Sequence, residues 1–240
     1  MANEHIVKSF DDELDHMETI IAEMGGLAEQ QLAKAIESLV RRDADLAGRV
    51  IADDVLLDRM ERDLDTQAMN LLALRQPMAG DLRAVIAGLK TASNLERIGD
   101  YAKNVAKRSI TLMQSEPVGS ASRTIFRMAE LVQGMISNVL DAYMQRDADK
   151  AADVRARDEE VDQLHTSLFR ELLTYMMEDP RNITPCTHLL FIAKNIERMG
   201  DHTTNIAEYV HFIAHGDVPM DERPKDDKSS ETIVDPGQGI

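Results

Sequence analysis

Two stretches of this 240-residue chain carry the residues best suited to chemistry, and they are nearly the same stretch. Ala92-Ser-Asn-Leu-Glu-Arg-Ile-Gly-Asp-Tyr-Ala-Lys-Asn-Val-Ala106 returns 101 positions later as Ala193-Lys-Asn-Ile-Glu-Arg-Met-Gly-Asp-His-Thr-Thr-Asn-Ile-Ala207, with eight positions identical. The strictest matches are polar, so more than packing is repeated. On a helix, Glu96, Asp100 and Asn104 stand four apart and share a face, as do Glu197, Asp201 and Asn205. Rows of side-chain oxygen at that spacing suit a cation, with hard or borderline metals (Mg, Mn, Fe) the best match.

A second acidic row precedes each copy. Asp54, Asp58, Glu61 and Asp65 follow helical spacing one position along from the apolar seam Leu57, Met60 and Leu64. Its counterpart reads Asp158, Asp162, His165 and Phe169, beside Val161, Leu164 and Leu168. If the two helices of each unit are neighbours, their stripes face one another across a groove. Carboxylates brought together in this way repel and raise each other's pKa unless a cation compensates. Gly99 and Gly200 sit beside the acids, where a helix-interior glycine permits close approach of another backbone or a ligand.

The plainer reading stands beside this one. A lone Glu-x-x-x-Asp is more often a solvated helix face, and Glu96-Arg97 and Glu197-Arg198 also fit structural ion pairs bridging to a neighbouring helix. Repetition of the whole Asn-x-Glu-Arg-x-Gly-Asp-x-x-x-Asn string favours a site. His165 and His202 are possible extra ligands, whereas His188, His211 and His215 read as surface or packing residues. No HExxH pair, glycine-rich phosphate loop or nucleophile elbow occurs, and no organic cofactor is implied. Nothing in these patterns argues for catalysis.

The elements that must position these residues are helices almost throughout. Apolar residues from about Phe10 to Val40 recur every three to five positions, with Gly25-Gly26 interrupting and weakening the helix. Asp43 is the expected N-cap of a second helix that carries Val50, Leu57, Met60, Leu64 and Leu71 and stops near Arg75-Gln-Pro77. A third helix runs from about Ala79 to Met113. Ser115 to Ser122 is a polar link, after which Arg146-Asp-Ala-Asp repeats Arg42-Asp-Ala-Asp and the plan begins again. The turn Glu178 to Pro185 separates the last two helices, with Thr184 as expected N-cap and Pro185 in first position. From Gly216 to Ile240 the chain is polar and is expected to be a disordered tail. The architecture is therefore all-α: two tandem homologous three-helix bundles, residues 1–115 and 116–215, followed by the tail 216–240.

Composition narrows the function. Acidic residues exceed basic ones by 43 to 27, a net charge of −16, which argues against nucleic acid and against direct binding to anionic lipid. The aromatic content is only 4%, with no Trp, as suits long helices packed by aliphatic side chains. Single Cys186 forms no intrachain disulfide and is expected to be a buried thiol in a reducing cytoplasm. The N-terminus has no signal-peptide pattern, and no run approaches the ~20 apolar residues of a membrane span, so a soluble protein is expected. Fourteen Met residues, among them Met128, Met135, Met144, Met176 and Met177, suit core packing and adaptable contacts, and a homodimer is expected.

The strings Leu95-Glu-Arg-Ile-Gly-Asp100 and Ile196-Glu-Arg-Met-Gly-Asp201 resemble the paired signatures of the PhoU family. So do Leu72-Ala-Leu-Arg-Gln-Pro77 with Asp81-Leu-Arg83, Leu173-Thr-Tyr-Met-Met-Glu-Asp-Pro180, and Met24-Gly-Gly with Glu29-Gln-Gln-Leu32. The resemblance implies two three-helix bundles and a cytoplasmic accessory protein of phosphate-specific transport. It implies a regulator that damps phosphate uptake and keeps the phosphate-starvation regulon off, through the ABC transporter's ATPase subunit and a sensor histidine kinase. Membrane contact would be indirect, through those partners. It further implies iron, zinc, manganese or magnesium at Asp54, Asp58, Glu96 and Asp100, and at Asp158, Asp162, Glu197 and Asp201. The stripe geometry adds Glu61, Asp65, Asn104, His165, His202 and Asn205 as weaker candidates. Since Glu61 and Asp65 are answered by His165 and Phe169, two unlike sites are expected, the first richer in oxygen. The competing readings are a helical carboxylate-cluster metalloenzyme (phosphatase or oxidase) and a purely structural scaffold.

Overall fold

Aliphatic residues at three- and four-residue spacing are best buried by laying helices side by side, and the described residues form seven α-helices that do so. The computed structural model describes residues 2–75, 77–217 and 226–232, without the side chains of residues 2–11 and 75. The first half comprises α1 (Ala2–Arg41), α2 (Ala44–Asp53), α3 (Val55–Arg75) and α4 (Gly80–Leu112); the second comprises α5 (Ala121–Gln145), α6 (Ala148–Glu178) and α7 (Ile183–His215). In each half the signature helix, α4 or α7, packs on the acidic helix beside it, α3 or α6.

The repeated Arg-Asp-Ala-Asp string makes the same turn twice. Asp43 accepts from the Leu46 N–H at 2.9 Å, and Asp147 accepts from the Lys150 N–H at 3.0 Å, capping α2 and α6. The arginine before each cap takes a left-handed backbone, with φ of 54° at Arg42 and 53° at Arg146. Both side chains are tied down. Arg42 Nη2 donates to the Met113 and Ser115 carbonyls at 2.6 and 2.8 Å, and Arg146 Nη2 reaches Glu18 Oε1 at 3.3 Å.

The two halves are not packed separately. One cluster of buried side chains runs from Ile21, Met24 and Leu32 on α1 through Leu95 and Ile98 on α4 to Met135 and Ile136 on α5 and Ile196 on α7. Helices α4 and α7 lie against each other, and α1 packs on both α4 and α5. Met128 and Met135 are fully buried whereas Met144 and Met177 are exposed, and Cys186 is buried with burial raising its thiol pKa.

Several expected boundaries shift. Helix α1 begins at Ala2 and continues through Gly25-Gly26. Gly25 is required by packing: a Cβ there would lie 2.4 Å from Leu140 Cδ1 of α5, and the tertiary contact carries the helix across. The single second helix expected in the first half is divided at Asp54, between α2 and α3, while α6 is continuous. Asp54 keeps right-handed backbone angles, so the chain steps without reversing; Asp53-Asp54-Val55 is a run of poor helix formers. Thr184 is not an N-cap. A 3₁₀ turn, Pro180–Asn182, runs straight into α7 at Ile183, and Asp179 caps it by accepting from the Arg181 N–H. Part of the segment expected to be a disordered tail has a defined course: residues 226–232 lie along α6 and include a 3₁₀ turn, Ser229–Glu231. Residues 218–225 and 233–240 lie outside the described ones.

Candidate functional site

The two acidic rows of each half do face one another, but the grooves they form are unlike. In the first, Asp54 comes from the step between α2 and α3, Asp58 and Glu61 from α3, and Glu96 and Asp100 from α4. Asp54 is buried, and the Lys103 ammonium of α4 binds its Oδ2 and lies 3.4 Å from Asp100 Oδ1. Burial, then repulsion from Asp100, Glu61 and Asp58, lifts the Glu96 carboxyl to about 7, against the opposing pull of Arg97. Arg97 lies 3.8 Å from both Glu96 Oε2 and Asp100 Oδ2, and is itself largely exposed. Four carboxylates from two helices therefore share one field. Asn104 is half-buried one turn further along α4, and Asp65 is exposed, one turn beyond the part of α3 that contributes.

The second groove is deeper. Asp158, Asp162 and His165 on α6 and Glu197 on α7 are all at most 5% exposed. Gly200 makes room for them, since a Cβ there would stand 2.9 Å from Asp158 Oδ1. Gly99, its counterpart, instead admits Leu57 and Gln31, with Gln31 Oε1 2.9 Å from an ideal Cβ. Burial above all, with help from Asp201 and Asp162, lifts Glu197 to about 7 although Lys194 opposes it. Glu197 Oε1 accepts from Lys194 Nζ at 2.9 Å, while the buried Oε2 has no hydrogen-bond partner.

The tail completes this groove. Asp227 Oδ2 accepts from Lys194 Nζ at 2.9 Å, and Asp227 Oδ1 lies 3.3 Å from His165 Nδ1. The Asp226 N–H donates to Asp162 Oδ2 at 3.0 Å and the Lys228 N–H to Thr166 Oγ1 at 3.1 Å. Burial alone would raise Asp227, but hydrogen bonds from Ser229 and Lys194 outweigh it and hold the carboxyl well below the usual range. Burial lowers His165, partly offset by Asp227.

Two expected extra ligands belong elsewhere. His202 Nδ1 is 2.8 Å from Asn94 Oδ1, and Asn205 Nδ2 donates to the same oxygen at 3.2 Å. Both join α7 to α4, and the Tyr101 ring stacks at a tilt 5.5 Å from His202. Equivalent positions in the repeat thus do different work, because α4 and α7 meet each other along this face. Sequence reasoning missed both lysines and the acids of the tail. Lys103 sits three after Asp100 and Lys194 three before Glu197, a helical ion-pair spacing that signals them; nothing local marks Asp226 or Asp227.

Among the described residues, no three His, Cys, Asp or Glu side chains converge on a point that could hold a metal ion in this conformation. Each lysine ammonium bridges two carboxylates, Lys103 between Asp54 and Asp100, Lys194 between Glu197 and Asp227. The donor chemistry nevertheless fits a hard or borderline cation: clustered carboxylates, two of them shifted to about 7 by burial and mutual repulsion, and an unpartnered buried oxygen on Glu197.

Comparison with known proteins agrees with the duplication. The PhoU domain model matches twice, at residues 21–109 and 125–210. The chain is 52% identical to the phosphate-specific transport system accessory protein PhoU homolog of Rhizobium meliloti, covering 96% of this chain and 97% of that one. The Caulobacter vibrioides protein of the same name is 50% identical over 95% of this chain and 99% of its own. The crystal structure of PhoU from Pseudomonas aeruginosa superposes with a TM-score of 0.84 at 38% identity, covering 87% of this chain and 100% of that one. The phosphate transport system regulatory protein PhoU from Streptococcus pneumoniae gives 0.82 at 28% identity, covering 88% and 99%.

Proposed function

The chain belongs to the PhoU family, and on that premise we propose that it is an accessory regulator of phosphate-specific transport. It acts by binding, without turnover. In this reading it damps phosphate uptake and holds the phosphate-starvation regulon off, working in the cytoplasm as a homodimer between the transporter's ATPase subunit and a sensor histidine kinase. The observation that carries the reading is near-full-length identity to accessory proteins of that system. No described helix is long and apolar enough to cross a membrane, as fits a protein that reaches membrane partners from outside the bilayer.

The reading includes iron, manganese, magnesium or zinc in both grooves. Asp54, Asp58, Glu96 and Asp100 would hold the ion in the first, and Asp158, Asp162, Glu197 and Asp201 in the second. A bound cation would supply the counter-charge that the lysines now supply and tie together the two helices of each groove. The support is the raised Glu96 and Glu197 carboxyls, each pressed by acids from its own and the facing helix.

The test is co-purification of the ATPase subunit and the sensor kinase on the tagged protein, with and without chelator. Retention of both partners is expected, weakened by chelator; retention of neither sinks the adaptor reading. Metal analysis of Glu96→Ala/Asp100→Ala beside Glu197→Ala/Asp201→Ala checks the grooves. Unequal losses are expected, and equal loss of the same metal would end the claim that the sites differ.

A further inference from the structure

The second groove already contains a ligand, and it is part of the chain itself. Segment 226–229 makes five hydrogen-bond-length contacts with it. Asp227 spans Lys194 and His165, which reach it from two different helices, α7 and α6. The backbone N–H groups of Asp226 and Lys228 donate to Asp162 Oδ2 and Thr166 Oγ1, and Thr166 Oγ1 lies 3.4 Å from the Asp226 carbonyl oxygen. Ser229 N–H donates to Asp227 Oδ1 at 3.0 Å and fixes the turn that aims the carboxylate inward. Beyond the segment, a largely apolar hollow of about 350 Å³ is lined by Phe169, Leu190 and Phe191, with Ser229 also in its wall.

From these contacts we infer that the α6–α7 groove is a binding site for an acidic peptide, that Asp226-Asp227-Lys228-Ser229 is its resident occupant, and that this occupant competes with divalent cations for the groove. Two features say that the segment excludes a cation. It engages Asp162 through a donor, the Asp226 N–H, which uses an oxygen that a metal would need. It also holds Lys194 beside Glu197, placing an ammonium next to an acid that keeps an unpartnered buried oxygen. The first groove has no such occupant among the described residues: Lys103, its counterpart to Lys194, bridges only Asp54 and Asp100 of the groove itself. The cation part of the inference rests on the metal reading of the grooves, whereas peptide docking does not.

The experiment uses the full chain and its Asp227→Ala variant, with amide exchange by NMR and Mn²⁺ titration read from paramagnetic broadening. Without metal, the Asp226, Lys228 and Ser229 amides are expected to exchange at least about tenfold more slowly in the parent chain than in the variant. Mn²⁺ is expected to bind the second groove about tenfold or more tightly in Asp227→Ala, and saturating Mn²⁺ to abolish protection in the parent. Fast exchange of these amides in both proteins overturns the docked segment. Slow exchange in the parent with equal Mn²⁺ affinity in both proteins overturns competition. Weaker Mn²⁺ binding in the variant also overturns it, and makes Asp227 a metal donor instead. Slow exchange with no Mn²⁺ binding to either protein leaves the peptide site standing and overturns both the competition and the metal reading of the groove.

Discussion

Gly200 of α7 faces Asp158 of α6 so closely that a Cβ would stand 2.9 Å from Asp158 Oδ1. The acid is buried, so its carboxylate cannot swing into solvent to make room. Alanine at position 200 gains up to about 1 kcal/mol of helix propensity but displaces a buried carboxyl group. The expected net effect of Gly200→Ala is destabilisation by about 1–3 kcal/mol, the range for overpacked interiors. Thermal unfolding measures it, and an unchanged or raised midpoint would show that Asp158 moves freely.

The adjacent glycines of α1 separate packing from propensity. A Cβ at Gly25 would meet Leu140 of α5 at 2.4 Å, whereas nothing lies within 4 Å of one at Gly26. Gly26→Ala should stabilise by about 0.5–1 kcal/mol. Gly25→Ala should destabilise by about 1–3 kcal/mol as Leu140 is driven off its seat. Denaturant midpoints of the two variants should therefore move in opposite directions.

Lys103 is the counter-charge of Asp54, and removing it leaves a buried carboxylate without its ammonium. Because Lys103 is partly exposed, Lys103→Met is expected to cost about 1–2 kcal/mol rather than the larger figure of a fully buried pair. Millimolar Mn²⁺ should restore more stability to this variant than it adds to the parent, as read by differential scanning calorimetry. Equal increments would mean that no cation takes the lysine's place.

Alkaline stability should depend on Tyr143. Burial, then the Glu18 carboxylate, raises its phenol far above the ordinary value, against the opposing effect of Arg146. A raised folded pKa means that the neutral phenol's contribution is complete below the unfolded value of about 10 and is lost as pH climbs toward the folded one. The raised Lys103 and Lys194 give losses of the same sign. Tyr143→Phe should therefore flatten, without abolishing, the fall in stability between about pH 9 and 11. An unchanged slope in urea titrations would place the loss elsewhere.

The fold was legible where periodicity decides it. Leu57, Leu64, Leu95 and Ile98 sit in the core as their spacing requires, and Asp43 caps as its type requires. Spacing put the acids on one face of each helix, and the expected facing of the rows depended on those helices being neighbours, as they are. The roles of His202 and Asn205 did not follow from spacing, because a helical wheel gives the face but not which helix covers it; here α4 covers it and supplies Asn94. The step at Asp54 was equally hidden, since the matching stretch of α6 runs unbroken with similar composition. Asp227 lay beyond local reasoning altogether, as its partners are His165 and Lys194, far back in the chain.

The repeat suggests two separable modules, yet the buried side chains form one body through α1, α4, α5 and α7. Separating the halves would strip α4 from α7 and α1 from α5 and break the Arg146–Glu18 pair. Unfolding should accordingly be a single cooperative event, with calorimetric and van't Hoff enthalpies equal. Whichever groove a ligand enters, its binding energy then stabilises the whole chain. The duplication preserved two acidic grooves while leaving one thermodynamic unit to respond.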